Sequence, residues 1–294
     1  MERRSYGRGM SPPRIALVTG ANQGLGFALA KGLATRMSPD DRVLLTGRDP
    51  DRVADAVARV PKPVARLEGR VLDVRAPASI ERLANELGAI DILFANAAAR
   101  WTPEDDNTEV IDAVYETSNV ATSRILRAYG PILRPGGRLL VVASSLGRLG
   151  HLPASMRSRF PDDATLDDVD GVLADWARAV HAGTAQSEGW PAWLNVPSKV
   201  GQVAAVRAVA RERSERDVAD GTLVAAVCPG LIDTDASRPW FDDMSQAQTP
   251  EQAAEALLDL ALAPRIDPAW HGELVRFGAV LDWHGPAPDR EPAH

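Results

Sequence analysis

Four apolar residues, Ile15-Ala16-Leu17-Val18, run straight into Thr19-Gly20-Ala21-Asn22-Gln23-Gly24-Leu25-Gly26, and a helical pattern begins at Phe27. Few local patterns restrict a fold more. Glycines at these positions let a turn adopt positive φ and bring backbone N–H groups close to an anion, and the N-terminus of the following helix favours negative charge there. A strand, a glycine turn and a helix in this order form the first βα unit of a dinucleotide-binding sheet. Gly20, Asn22, Gln23, Gly24, Leu25 and Gly26 would then surround a pyrophosphate. Plain turn glycines are the alternative.

Downstream, short apolar runs alternate with helical patterns, which predicts a parallel sheet covered by helices. Strands are expected at 15–18, 42–46, 70–73, 90–95, 137–142, 223–227 and 273–277, and helices include 26–35, 79–87, 109–133 and 198–213. The fold class is α/β, a doubly wound parallel seven-stranded sheet (Rossmann fold) with a helical lid insertion. One domain is expected over 14–284, between tails at 1–13 and 285–294. Residues 151–193 interrupt the link between the fifth strand and the next helix. There Leu166, Val169, Val172, Leu173, Trp176 and Val180 recur at helical spacing. Past the carboxyl end of a strand, this insertion either lids a substrate site or decorates the surface.

Composition narrows the partners. With 294 residues, 45% hydrophobic and 25% charged, the chain can bury a full core, which excludes a disordered or fibrous class. Its 33 Lys+Arg against 40 Asp+Glu give a net charge of −7 and no broad attraction to nucleic acid or an anionic membrane. A small-molecule substrate is the expectation. Arg3, Arg4 and Arg8 sit in the short leading tail, where a basic arm is less expected than an unstructured end. Cys228, the single cysteine, forms no internal disulfide and fits no metal spacing, in keeping with a reducing cytoplasm and no metal. No apolar run approaches membrane-spanning length, and the start has no signal-peptide stretch.

After the second strand comes Thr46-Gly47-Arg48-Asp49. An acidic residue at the strand end would hold the ribose 2′-hydroxyl of NAD, whereas Gly47 and Arg48 leave room and positive charge for a 2′-phosphate. NADPH is therefore expected, with Asp49 as the contrary signal.

Together these residues resemble the short-chain dehydrogenase/reductase family. The likeness is carried by Thr19-Gly20 with Gly24 and Gly26, Leu72-Asp73-Val74, Ala95-Asn96-Ala97-Ala98, Ser144 and Ser145, Lys199, and Cys228-Pro229-Gly230 through Thr234. It covers about residues 14 to 284. The insertion followed by Glu188-Gly189-Trp190-Pro191 and the ending at Leu281-Asp282-Trp283 look like the monomeric carbonyl reductase branch, which implies a monomer. The resemblance implies that Asp73 contacts the adenine, Asn96 lines the cofactor groove, Pro229 contacts the cofactor, Thr234 holds the nicotinamide or pyrophosphate, and Lys199 holds the nicotinamide ribose.

Hydride delivery to a carbonyl builds charge on its oxygen, so donors and a proton are needed. The family supplies Ser, Tyr and Lys. Ser144 and Lys199 match two of these, but the tyrosine position four residues before the lysine is Asn195. The tyrosines present, Tyr6, Tyr115 and Tyr129, are distant in sequence. An amide donates a hydrogen bond but yields no proton near neutral pH. The family asparagine falls on Ser118 by ungapped counting, or on Asn119 with a one-residue shift. His151 and His284 could be replacement acids but are not favoured.

Three functions follow. The first is an NADPH-dependent ketoreductase whose substrate, an aromatic polyketide of the angucyclinone kind, carries a phenol beside the ketone and supplies its own proton. Ser144 and Asn195 would orient the carbonyl, and Trp101, Trp190 and Trp193 would stack on a flat polycycle or merely pack the lid. The second is a non-redox cyclisation, dehydration or isomerisation on the same fold. The third is an inactive NADPH-binding protein.

Overall fold

The computed structural model describes residues 12–285, and the rest of both tails, with Arg3, Arg4, Tyr6 and Arg8, lies outside the described residues. In chain order the elements are β1 (Ile15–Val18), α1 (Gly24–Arg36), β2 (Arg42–Gly47), α2 (Pro50–Ala58), β3 (Arg66–Val71), α3 (Pro77–Leu87), β4 (Ile90–Ala95) and α4 (Asn107–Val114). A π-helical turn over Tyr115–Val120 leads into α5 (Ala121–Tyr129), followed by β5 (Leu133–Val142), α6 (Ala154–Arg157), α7 (Leu166–His181) and α8 (Asn195–Asp220). The chain then forms β6 (Leu223–Val227), α9 (Pro250–Leu262), β7 (Leu274–Arg276) and β8 (Ala279–Leu281).

The sheet order is β3-β2-β1-β4-β5-β6-β7-β8. The first seven strands pair in parallel as the alternation predicts, and β8 adds a short antiparallel edge through a hairpin at Phe277 and Gly278. Every residue of β1 and β6 is buried, because helices cover both faces of a parallel sheet. One apolar layer holds α1, α2 and α9 against one face, and another holds α3, α4, α5, α7 and α8 against the other.

Several boundaries differ from the sequence expectation: the helix expected over 198–213 extends over Asn195–Asp220, and two further shifts have a clear physical reason. The third strand runs over Arg66–Val71 and ends before Asp73. As a sheet edge it carries Arg66, Glu68 and Arg70 in place of an apolar run, and Arg42 pairs with Glu68 through two bonds of 2.9 Å. The helical pattern over 109–133 stops at Tyr129, where Gly130 and Pro131 end it, and Leu133 already belongs to β5.

The insertion folds as expected. Thr165 and Asp168 cap α7 reciprocally, with Thr165 Oγ1 accepting from the Asp168 N–H at 3.1 Å and Asp168 Oδ2 accepting from the Thr165 N–H at 2.8 Å. Leu166, Val169, Leu173, Trp176 and Val180 are buried, and Val172 packs beside them. Leu173 fits over Gly201 of α8, where a Cβ would lie 2.5 Å from its Cδ2. Among the described residues no helix is long and apolar enough to cross a membrane.

Candidate active site

The order of the sheet reverses between β1 and β4, and the carboxyl ends of the strands open there into two adjoining cavities. The first is a groove of about 490 Å³. Its floor is the glycine turn. Gly20 has φ +62°, and a Cβ on it would lie 2.9 Å from Ala97 Cα. A Cβ on Gly26 would lie 2.5 Å from both Asn96 Nδ2 and the Gly20 carbonyl. Asn96 Nδ2 donates to the carbonyls of Thr19 at 2.9 Å and Gly20 at 3.3 Å. The Thr19 hydroxyl oxygen accepts from the N–H groups of Asn96 and Ala97 at 2.9 and 3.0 Å. These bonds lock the end of β4 onto the turn after β1.

Helix α1 begins with no side-chain cap and no acidic residue in its first turn, so its leading N–H groups face the groove without a competing carboxylate. Asp49 is occupied elsewhere: its Oδ1 accepts from the N–H groups of Asp51 and Arg52 at 3.0 and 3.1 Å and caps α2. Arg48 lines the groove beside Gly47, and Arg52 donates to Gln23 Oε1. The narrow glycine cradle, the uncapped helix end and the guanidinium beside β2 fit NADPH.

Of the expected cofactor residues, Gly20, Asn22, Gln23, Gly24, Leu25, Gly26, Arg48, Asp73, Asn96 and Thr234 line this groove. Asp73 follows β3, and its Oδ1 accepts from the Arg75 N–H at 3.0 Å. Pro229 lies outside both linings, with its carbonyl accepting from Gln248 Nε2 at 3.2 Å. Arg52, Arg75 and Arg100 also border the groove and were not singled out from the sequence. Arginine is common on solvated faces, so nothing local distinguishes these three.

The second cavity, about 440 Å³, brings Ser144, Asn195 and Lys199 together. Asn195 and Lys199 stand one turn apart at the start of α8. Ser144 follows β5, and its Oγ accepts from the Leu146 N–H at 3.3 Å. Gly147 lets this loop touch α8, since a Cβ there would lie 2.9 Å from the Lys199 carbonyl. Lys199 Nζ donates to the Val142 carbonyl at 3.3 Å and Gln202 Oε1 at 2.8 Å. Burial pushes its pKa down to about 8, while the neighbouring Cys228 acts in the other direction. Ser118 lines this cavity; Asn119 turns away and donates to the Ser198 carbonyl at 2.8 Å. The ungapped count is therefore the one that reaches the pocket.

Trp101 and Trp193 are in the lining, and Trp240 stands between them. Its ring centroid lies 5.8 Å from that of Trp101 and 5.6 Å from that of Trp193, and its Nε1 donates to the Trp101 carbonyl at 3.3 Å. Trp190 is placed elsewhere: 2% exposed, it packs on Trp176 inside the insertion, 6.4 Å between rings, with the Arg159 guanidinium over it. Trp240, Phe241 and Arg276 also line this cavity and are absent from the sequence expectation, although Pro239-Trp240-Phe241 is an aromatic signal soon after Thr234. His151 also lines the cavity, whereas His284 bonds to Asp162 away from it.

A family profile described as short chain dehydrogenase matches residues 14–156. Carbonyl reductase (NADPH) 3 of Rattus norvegicus is 33% identical over 282 residues, covering 92% of this chain and 98% of that protein. The chain belongs to the short-chain dehydrogenase family. Carbonyl reductase (NADPH) 1 of Oryctolagus cuniculus is 31% identical, with 93% of this chain and 99% of that protein covered. Salutaridine reductase from Papaver somniferum shares the fold, with a TM-score of 0.73 at 23% identity over 89% of this chain and 99% of that one.

Proposed function

We propose that this chain, an NADPH-dependent oxidoreductase of the short-chain dehydrogenase family, reduces a ketone of an aromatic polyketide whose neighbouring phenol supplies the proton. One observation carries the reading: the pocket wall one turn before Lys199 presents the amide of Asn195, and among the described residues no tyrosine, aspartate or glutamate lines the pocket. Bound NADPH would supply a hydride. Ser144 and Asn195 then orient the carbonyl through hydrogen bonds, and Lys199 holds the ribose with its ammonium. A phenol hydrogen-bonded to the ketone within the substrate gives its proton to the developing alkoxide and recovers one from water. Trp101, Trp193 and Trp240 offer faces for a flat ring system.

A second reading makes His151 the acid, because its imidazole lines the same pocket. The test compares 8-hydroxy-1-tetralone with 1-tetralone, using deuterated NADPH. Deuterium at the carbinol carbon and a loss of about 10²–10⁴ in rate without the phenol are expected. Equal turnover of the two ketones, or loss of phenol-dependent turnover in His151→Gln, would sink substrate-assisted protonation. A product free of deuterium would turn the assignment to a non-redox step.

A further inference from the structure

The second cavity has a charge asymmetry that ketone reduction leaves unused. Arg100, Lys199 and Arg276 line it together with no carboxylate among the described residues, although acidic side chains outnumber basic ones 40 to 33 in the whole chain. Lys199 is engaged with Val142 and Gln202. Arg276, the last residue of β7, is half-buried, and its Nε is buried without a hydrogen-bond partner among the described residues. Its guanidinium lies 5.1 Å from the ring centroid of Phe277. The contrast with Arg207 is direct: Arg207 Nη1 donates to both carboxylate oxygens of Glu273, just before the same strand, at 2.8 Å.

Gly230 and Arg276 line the same side of the cavity, and the missing side chain at Gly230 lets the backbone approach the Arg276 fork. Gly230 has φ +82°, and a Cβ there would meet Gln248 Nε2 at 2.9 Å, Phe277 Cζ at 3.2 Å and Arg276 Nη2 at 3.8 Å. A half-buried guanidinium without a counter-charge is costly. A planar anion bound by two N–H groups removes that cost and gains charge-assisted bonds.

We propose that Arg276 is a specificity-determining residue that receives a carboxylate, or an equally acidic group, carried by the substrate at the Gly230 side of the pocket. The assignment rests on the reading of this cavity as the ketone site. It predicts that the natural substrate is an acid at neutral pH, with the anion apart from the reacting carbonyl.

The test uses 8-hydroxy-1-tetralone bearing a carboxylate side arm and the methyl ester of the same compound. For the unaltered enzyme the acid should exceed the ester by about 10- to 100-fold in kcat/KM, mostly through KM. In Arg276→Gln this ratio should fall close to one, and Arg276→Lys should restore part of it, with NADPH affinity as the check on folding. No preference in the unaltered enzyme, or an unchanged ratio in Arg276→Gln, would overturn the proposal. If neither ketone is reduced, the ketoreductase reading fails separately. Quenching of tryptophan fluorescence then decides: acid-selective binding lost in Arg276→Gln supports the role of Arg276, and equal binding of acid and ester overturns it.

Discussion

Replacing Gly26 by alanine probes the cofactor turn at its tightest point. The added methyl would stand 2.5 Å from Asn96 Nδ2 and 2.5 Å from the Gly20 carbonyl, whereas ordinary contact begins at 3.4 Å. The carbonyl is backbone and yields only if the turn moves. The Asn96 amide yields only by giving up its bonds of 2.9 and 3.3 Å to Thr19 and Gly20. Overpacking costs about 1–3 kcal/mol and each neutral hydrogen bond about 0.5–1.5 kcal/mol, so the substitution should cost roughly 2–6 kcal/mol between stability and NADPH affinity. Calorimetric titration with NADPH and thermal unfolding divide that loss, with roughly 2–4 °C of Tm per kcal/mol of stability. The decisive variant is Gly26→Ala combined with Asn96→Ala, which removes one of the two clashing atoms. The pair should be less damaging than the sum of the single changes by about 1 kcal/mol or more. Near-native NADPH affinity and Tm in Gly26→Ala, or strict additivity in the pair, would refute this account of the turn.

Three other outcomes are expected. Arg48→Ala should weaken NADPH binding about 10- to 100-fold and leave NADH binding near its starting value, and equal losses for both cofactors would remove Arg48 from the 2′-phosphate. Lys199 releases its proton near pH 8 when folded, against an ordinary 10.5. Between those values the unfolded chain binds more protons, so stability rises with pH, by at most about 1.4 kcal/mol per unit. Urea unfolding of Lys199→Met should lack that rise, and identical slopes in both proteins would contradict the depressed pKa. Because α7 lies over α8 with Leu173 against Gly201, sedimentation should give the mass of one chain, and a mass of two would show that the insertion leaves α8 free to pair.

The sequence was most legible where function and fold use the same residues. The turn from Thr19 to Gly26 could be read because glycine spacing, strand and helix all follow from one local requirement. Asn195 and Lys199 could be paired because the family resemblance marks the position four residues before the lysine, a spacing that α8 turns into one helical turn. The capped helix over Leu166–His181 announced itself through its apolar spacing. Legibility failed where position depends on distant segments. The edge strand β3 lacks an apolar run because one side faces no partner strand. Trp190 and Trp193 are three residues apart, yet one is buried against Trp176 and the other lines the pocket, since the chain bends ahead of α8. Trp240 and Arg276 reach the pocket from beyond β6 and from the end of β7, and no spacing links them to Ser144.

The three tryptophans that meet at Trp240 belong to the segments after β4, before α8 and after β6, whereas Lys199 stands within the regular structure of α8 and Ser144 directly follows β5. On the proposed reading, wall and chemistry reside in separable parts of the chain. A lineage can widen or narrow the wall by single changes in loops, or recharge it at the end of β7, while the placement of Ser144 and Lys199 is inherited intact. Divergence among relatives should accordingly accumulate first in what the pocket admits and only later in what it does.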